Sequence, residues 1–204
     1  MPKETFFNLP EDKRERILQA ASAELVRVPL NEMSINKITQ TAEISRGSFY
    51  QYFEDKNDLI QHMLSGYAEC LKDGIARTAE ECGGDVFEAV CRILAGVIRL
   101  GENEETRKAL RNILEGASGK ECPLEFAMTF QEEIIAILVQ KADRSQLRHE
   151  DDRSVVLLAR LLFTQLKEAA AGCLFDMEEA GKAERAFREQ IRMIREGEGR
   201  AANV

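Results

Sequence analysis

The chain is 204 residues long, 44% apolar and 31% charged, enough to bury a core in one compact domain or two small ones. Its apolar runs stop far short of the ~18 residues that span a bilayer, and Met1–Pro10, "MPKETFFNLP", has neither the apolar stretch nor the cleavage site of a signal peptide, so a cytoplasmic protein with no membrane partner is expected. Net charge is −8, and neither residues 1–60 (8 basic, 10 acidic) nor the remainder (20 basic, 26 acidic) is basic, which excludes polyanion recognition by bulk charge and leaves only a local patch.

Gly and Pro are scarce, at 13 and 4, and apolar residues recur at period 3.6 from one end to the other. A first helix starts near Pro10, with Glu11 and Asp12 at its positive N-terminal end. Ile17, Leu18, Ala21 and Leu25 form its apolar stripe, and it stops near Val28 because Pro29 disfavours helical backbone at the residue before it. Three segments follow closely. Ser34 is placed to cap "INKITQTA", Ser45 to cap "RGSFYQY", and Asp55 to cap a long helix from Lys56 that carries Leu59, Met63, Tyr67 and Leu71 on one face. "CGGD" (Cys82–Asp85) breaks that helix after about Glu81. Four or five more helices are expected over Val86–Leu100, Glu105–Glu115, Leu124–Ala142, Asp151–Phe175 and Met177–Arg195. The expected fold is all-α. The five cysteines (Cys70, Cys82, Cys91, Cys122, Cys173) form no C-x-x-C, and His62 and His149 are the only histidines, so reduced thiols, no metal and no cofactor are expected.

The second and third segments have helix-turn-helix spacing: about eight residues, a three-residue turn, then about seven. Ile35, Ile38 and Ala42 face inward from the first, Ile44 plugs the turn, and Phe49 and Phe53 anchor the second. Arg46, Gly47, Ser48, Tyr50, Gln51 and Tyr52 are left pointing outward or sideways. A helix presented this way fits the major groove, its N-terminal residues nearest the base edges.

The pattern Ile35-x-x-Ile38-x-x-x-Ala42-x-Ile44-Ser45-x-Gly47-x-x-Tyr50-x-x-Phe53-x-x-Lys56-x-x-Leu59 resembles the DNA-binding domain of the TetR/AcrR family, over roughly Leu9 to Met63. The resemblance implies an N-terminal three-helix helix-turn-helix domain (1–60) joined by a long helix to a helical effector-binding and dimerisation domain (61–204). Three positions depart from the family's pattern. Pro29 stands where the first helix usually ends in Gly, and Thr39 replaces a small Ala and is expected to bond back to a carbonyl. Glu43 replaces the turn Gly, where a left-handed backbone is expected and a side chain costs about 1–2 kcal/mol.

Carried onto this sequence, the family's docking assigns base contacts to Arg46, whose guanidinium can bond two acceptors on guanine, and to Asn36, which pairs well with adenine. Ser34, Ser45, Gly47, Ser48, Tyr50, Tyr52 and Lys56 suit phosphate contacts, which fix register without reading sequence. One helix-turn-helix reads half a site, so the implied partners are palindromic double-stranded DNA and a second copy of the chain. The last two helices are the pairing candidates, through Val155, Leu158, Leu162, Leu166 and Ala170 on one and Ala183, Phe187, Ile191 and Ile194 on the other. The middle helices would hold an effector pocket lined by Tyr67, Leu94, Ile98, Leu114, Phe126, Phe130 and Phe163, with Ile137 and Phe175 as further candidates. No basic or His cluster points to an anionic effector, so the expected one is hydrophobic or amphipathic, and the function a small-molecule-released repressor. No catalytic motif is present, so an enzyme is not expected. The other readings are a DNA-binding module that recruits a protein partner and a thiol redox sensor.

Overall fold

The computed structural model describes residues 1–117 and 124–198, with the side chains of Ala117, Leu124–Ala127 and Glu198 left aside. The described residues form ten α-helices and two 3-10 turns and contain no strand. In chain order these are α1 (Glu4–Phe7), α2 (Glu11–Arg27), a 3-10 turn (Leu30–Glu32), α3 (Ile35–Thr41), α4 (Arg46–Tyr52), α5 (Lys56–Glu81), α6 (Val86–Glu102), α7 (Glu104–Ala117), α8 (Leu124–Lys141), a second 3-10 turn (Arg144–Gln146), α9 (Asp152–Phe175) and α10 (Ala180–Glu198). None of the described helices is long and apolar enough to cross a membrane. Sequence reading misses α1 and both 3-10 turns, and starts the last helix at Met177, whereas α10 begins at Ala180, after Asp176 Oδ1 accepts from the Glu179 N–H (3.2 Å).

Helix ends follow local chemistry. Val28 is extended (φ −144°) ahead of Pro29, which ends α2 as expected. Asp55 Oδ1 accepts from the Asp58 N–H (2.9 Å) while Asp58 Oδ2 accepts from the Glu54 N–H (3.1 Å), so two carboxylates meet the unpaired donors that open α5. Asp85 caps α6 through the N–H groups of Phe87 and Glu88, and Asp151 caps α9 through Ser154 (all 3.1 Å). At the far end of α5, Gly83 and Gly84 have positive φ (61° and 82°). A Cβ on Gly84 would lie 2.7 Å from the Asp143 nitrogen, so the break there requires glycine for close approach as well as for conformation.

The turn after α3 has the same left-handed geometry without the glycine. Glu43 sits at φ 55°, the Ile44 N–H donates to the Thr39 carbonyl (3.0 Å), and the Glu43 N–H donates to the Gln40 carbonyl (3.3 Å). These bonds close α3 with the paired hydrogen bonds of a left-handed helix stop. Thr39 Oγ1 donates to the Asn36 carbonyl (3.1 Å), as expected, and the Glu43 carboxylate lies 3.8 Å from Arg16. Glu43→Gly relieves the left-handed cost of about 1–2 kcal/mol, offset by roughly 0.4–1 kcal/mol of extra unfolded-state entropy. A net gain of about 0.5–1 kcal/mol is expected in a urea titration; a loss would mean that the contact with Arg16 outweighs the backbone strain.

The chain divides into two compact units, Met1–Glu69 with Glu104–Ala127, and Cys70–Asn103 with the chain from Met128 onward. The first unit is therefore not confined to the N-terminal 60 residues. Its core holds Phe6, Ile17, Leu25, Ile38, Phe49, Phe53 and Leu59, all fully buried, with Ala109 and Ile113 of α7 packed against it. Asn112 Nδ2 donates to the Leu25 carbonyl (2.6 Å) and the Val26 carbonyl (3.3 Å), meeting acceptors near the C-terminal end of α2.

In the second unit α6, α9 and α10 pack on one another around Leu94, Ile134, Leu138, Leu147, Leu162 and Phe187. The residues expected at the pairing face are turned into this core. Val155, Leu158, Leu162, Leu166, Phe187 and Ile191 are buried in the unit's own core, with Ala170, Ala183 and Ile194 packed against it. The apolar stripe read from the sequence is the inward one. The outward face of α9 carries a second stripe, Leu157, Leu161, Thr164, Glu168, Ala171 and Phe175, at alternating spacings of four and three. Leu157 (57% exposed), Leu161 (45%) and Phe175 (44%) stand out on it, and α10 adds Met193 (64%).

The residues expected to line a pocket are divided between the two units. Tyr67 and Leu114 belong to the first unit, where the Tyr67 hydroxyl is 2.8 Å from Ser22 Oγ. Leu94 and Phe163 are buried in the second core, Ile98, Phe130 and Ile137 pack against it, Phe175 is exposed, and Phe126 lies outside the described side chains. An open groove of about 550 Å³ lies instead between α8 and α9, lined by residues including Ile135, Val139, Arg144, Val156 and Arg160.

Candidate nucleic-acid interface

The helix-turn-helix forms where the spacing places it. Ile38 and Ala42 of the first arm are buried, and Ile35 and Ile44 are partly so. Ser45 Oγ accepts from the Ser48 N–H (2.9 Å), capping α4, and the two serine hydroxyls are 2.9 Å apart. Phe49 and Phe53 are fully buried, their ring centroids 5.2 Å apart, and pin the inner side of α4. Its outer side exposes Arg46, Gly47, Tyr50 and Gln51, with Ser48 half-buried. A Cβ on Gly47 would touch only Ser45 Oγ, at an ordinary 3.7 Å, so nothing inside the chain demands glycine there.

The two residues assigned to base contacts lie together. Arg46 Nη1 donates to Asn36 Oδ1 (3.1 Å), Arg46 Nη2 donates to the Tyr50 hydroxyl (3.4 Å), and the guanidinium carbon is 5.8 Å from the Tyr50 ring centroid. Asn36 and Tyr50 thus flank one guanidinium. The group has five N–H donors, and three remain.

Three expectations change. Tyr52 is 7% exposed, its ring packed into the first unit's core with the Lys13 ammonium 5.6 Å from the ring centroid, so it is not on the outer face. It and Phe49 lie three apart on α4, and residues at that spacing share a helix face. Ser34 stands at the N-cap of α3 but makes no side-chain cap bond. Its backbone N–H instead donates to Glu24 Oε1 (2.9 Å). The Lys56 ammonium donates to the Asn31 carbonyl (2.7 Å), which gives that lysine a structural partner in the first 3-10 turn.

Glu24 is the positioning residue that sequence reading missed. It is buried on α2, where Arg27 grips both its carboxylate oxygens (2.8 Å each) while it holds the start of α3 through Ser34. The Arg27 hydrogen bonds, against the opposing effect of burial and with help from the Ser34 N–H, keep the Glu24 carboxyl below the usual glutamate range. The available signal was a charged residue on the apolar face of α2 with an arginine three positions on. The segment Lys3–Phe6, which packs on α4, was missed as well.

A short helix pinned on one face, with an arginine, an asparagine and a tyrosine turned together to solvent, offers a reading head to the major groove, and the class this unit defines is the helix-turn-helix DNA-binding protein. Residues 17–63 match the profile of bacterial regulatory proteins of the tetR family. The matched span is thus a DNA-binding domain of the tetR-family type.

An uncharacterised helix-turn-helix transcriptional regulator of Bacillus subtilis, YxbF, is 31% identical over 72 residues, which is 33% of this chain and 19% of that relative's length. The chain thus matches about a fifth of that protein. Among solved structures, SmeT in complex with triclosan shares the fold with a TM-score of 0.72 at 19% identity, over 93% of each chain. NalD of Pseudomonas aeruginosa, the secondary repressor of the MexAB-OprM multidrug efflux pump, has a TM-score of 0.65 at 20% identity, over 94% of this chain and 99% of its own.

Proposed function

We propose that the chain is a dimeric repressor that reads a palindromic operator through Arg46 and is released by a hydrophobic or amphipathic small molecule. The observation that carries the reading is the Arg46 guanidinium held between Asn36 and Tyr50 on the outer side of α4. Ser34, Ser45, Gly47, Ser48, Tyr50 and Lys56 remain the proposed phosphate contacts. The Lys56 ammonium has three N–H donors, so its bond to Asn31 leaves two for a phosphate oxygen. Pairing is assigned to the outward stripe of α9 and to Met193 of α10, because the inward stripe is used by the chain's own core.

The effector assignment draws on the likeness to SmeT, solved with triclosan, and on NalD, a repressor of a multidrug efflux pump. Moving a repressor from 1:99 to 99:1 takes ~5.5 kcal/mol of differential effector affinity between the bound and released states. Recruitment of a protein partner is the second reading, favoured by the burial of Leu94 and Phe163 where a pocket was expected. A redox sensor is disfavoured at Cys82, Cys91 and Cys173, whose thiols are pushed up by burial, away from the reactive thiolate.

Selection of bound sequences from random DNA tests the core of the proposal, with a palindrome as the expected product. Arg46→Ala is expected to cost about 1–3 kcal/mol and to relax preference at one base pair per half-site. Because Asn36 orients that guanidinium, Asn36→Ala should relax the same pair. Uniform weakening across all sequences would remove Arg46 from base reading, and relaxation at a different pair would make Asn36 an independent contact.

A further inference from the structure

We infer that Lys3–Phe6 is a clamp that holds the recognition helix in its reading geometry, with Lys3 and Thr5 as positioning residues for the outer side of α4. The inference rests on α4 being the recognition helix. Helices shorter than ~12–15 residues are marginal in water on their own, and α4 has seven residues. The last four carbonyls of any α-helix find no acceptor role within it; in α4 they belong to Phe49, Tyr50, Gln51 and Tyr52.

All four are met here. The Phe49 carbonyl accepts from the Phe53 N–H (2.9 Å), where the chain leaves the helix. The other three are met from Lys3 and Thr5 alone. The Lys3 ammonium donates to the Tyr50 carbonyl (2.8 Å), the Thr5 hydroxyl donates to the Gln51 carbonyl, and the Lys3 backbone N–H donates to the Tyr52 carbonyl (2.8 Å). The Lys3 charge also lies at the negative end of the α4 dipole.

The clamp is itself anchored. Phe6 is fully buried, its ring centroid 4.9 Å from that of Phe53 and 5.4 Å from that of His62, and Pro2 is buried as well. The opposite end of α4 is fixed by the Ser45 cap. A two-turn helix is thus fastened at both ends by groups outside its own hydrogen-bond ladder. Lys3 and Thr5 lie outside residues 17–63, the span that matches the family.

The test uses four variants of the full chain: Lys3→Met and Thr5→Val, which remove the side-chain donors, and Lys3→Arg and Thr5→Ser, which keep them. Amide hydrogen exchange is followed at Tyr50–Phe53 in the absence of DNA. Binding is measured across a salt series to a duplex selected from random sequence by the unmodified protein. The expected result is exchange at those amides faster by roughly five-fold in Lys3→Met and Thr5→Val, with DNA binding weakened by a similar factor, the worth of one modest hydrogen bond. The salt slope of Thr5→Val stays unchanged, and both conservative variants restore exchange and binding. Unchanged exchange in Lys3→Met and Thr5→Val overturns the clamp. A salt slope lowered by about one unit in Lys3→Met, with exchange unmoved, makes Lys3 a phosphate contact instead. Faster exchange with undiminished DNA binding overturns the reading role of α4, and with it the clamp's function.

Discussion

Leu161→Glu combined with Leu157→Glu is expected to yield a folded monomer whose specific DNA affinity is lower by about 2–5 kcal/mol. That figure is roughly half of the 4–10 kcal/mol that separates specific from non-specific binding, because a monomer engages one half-site instead of two. Sedimentation should show the change of mass, and binding to the selected palindrome the loss of affinity. Survival of a dimer in the double variant would place pairing elsewhere.

The choice of these two leucines follows from where α9 spends its apolar residues. Leu158 and Leu162, one position on, are buried in the chain's own core, and a charge there would be left without a partner in an apolar interior. Leu157 and Leu161 are half exposed, so glutamate at either keeps its carboxylate in water and leaves the core packing untouched. In a paired state the same two carboxylates would be buried on α9 opposite their symmetry copies, since a two-fold interface presents one patch to itself. The single face separates the two outcomes: the unit folds either way, and only association is penalised.

The same helix shows what the sequence could and could not disclose. Period-3.6 patterning places α9 within a residue of its observed start, because burying any apolar stripe requires that period. Leu157, Leu161 and Phe175 fit a helical period as well as the inward stripe does, and only packing of α6 and α10 on α9 decides which face is inward. The helix-turn-helix was more legible because its constraints are local: Ser45 caps, Phe49 and Phe53 anchor, and Glu43 takes the left-handed turn. Partners distant in sequence were not legible. Glu24 at Ser34, Asn31 at Lys56, and Lys3 at Tyr50 join segments 10, 25 and 47 positions apart, and no spacing rule links them.

Phe49→Ala is expected to cost about 3–5 kcal/mol, the usual range for emptying a fully buried aromatic site, and to abolish specific DNA binding. Domains of this size are stable by about 5–15 kcal/mol in total, so the loss should be plain in a urea titration. Phe49 supports the reading face through ring contacts: its centroid is 5.4 Å from that of Tyr50 in an edge-on arrangement, and Tyr50 in turn flanks the Arg46 guanidinium. Phe49→Leu separates support from stability. Because Leu keeps much of the volume, its cost should stay near or below about 1.5 kcal/mol, but it removes the flat edge against which Tyr50 stands. The folded Phe49→Leu protein should therefore bind DNA with relaxed preference at the base pair that Arg46 reads. Full retention of that preference would show that Asn36 alone fixes the guanidinium, and that the aromatic pair serves only to hold α4 on the core.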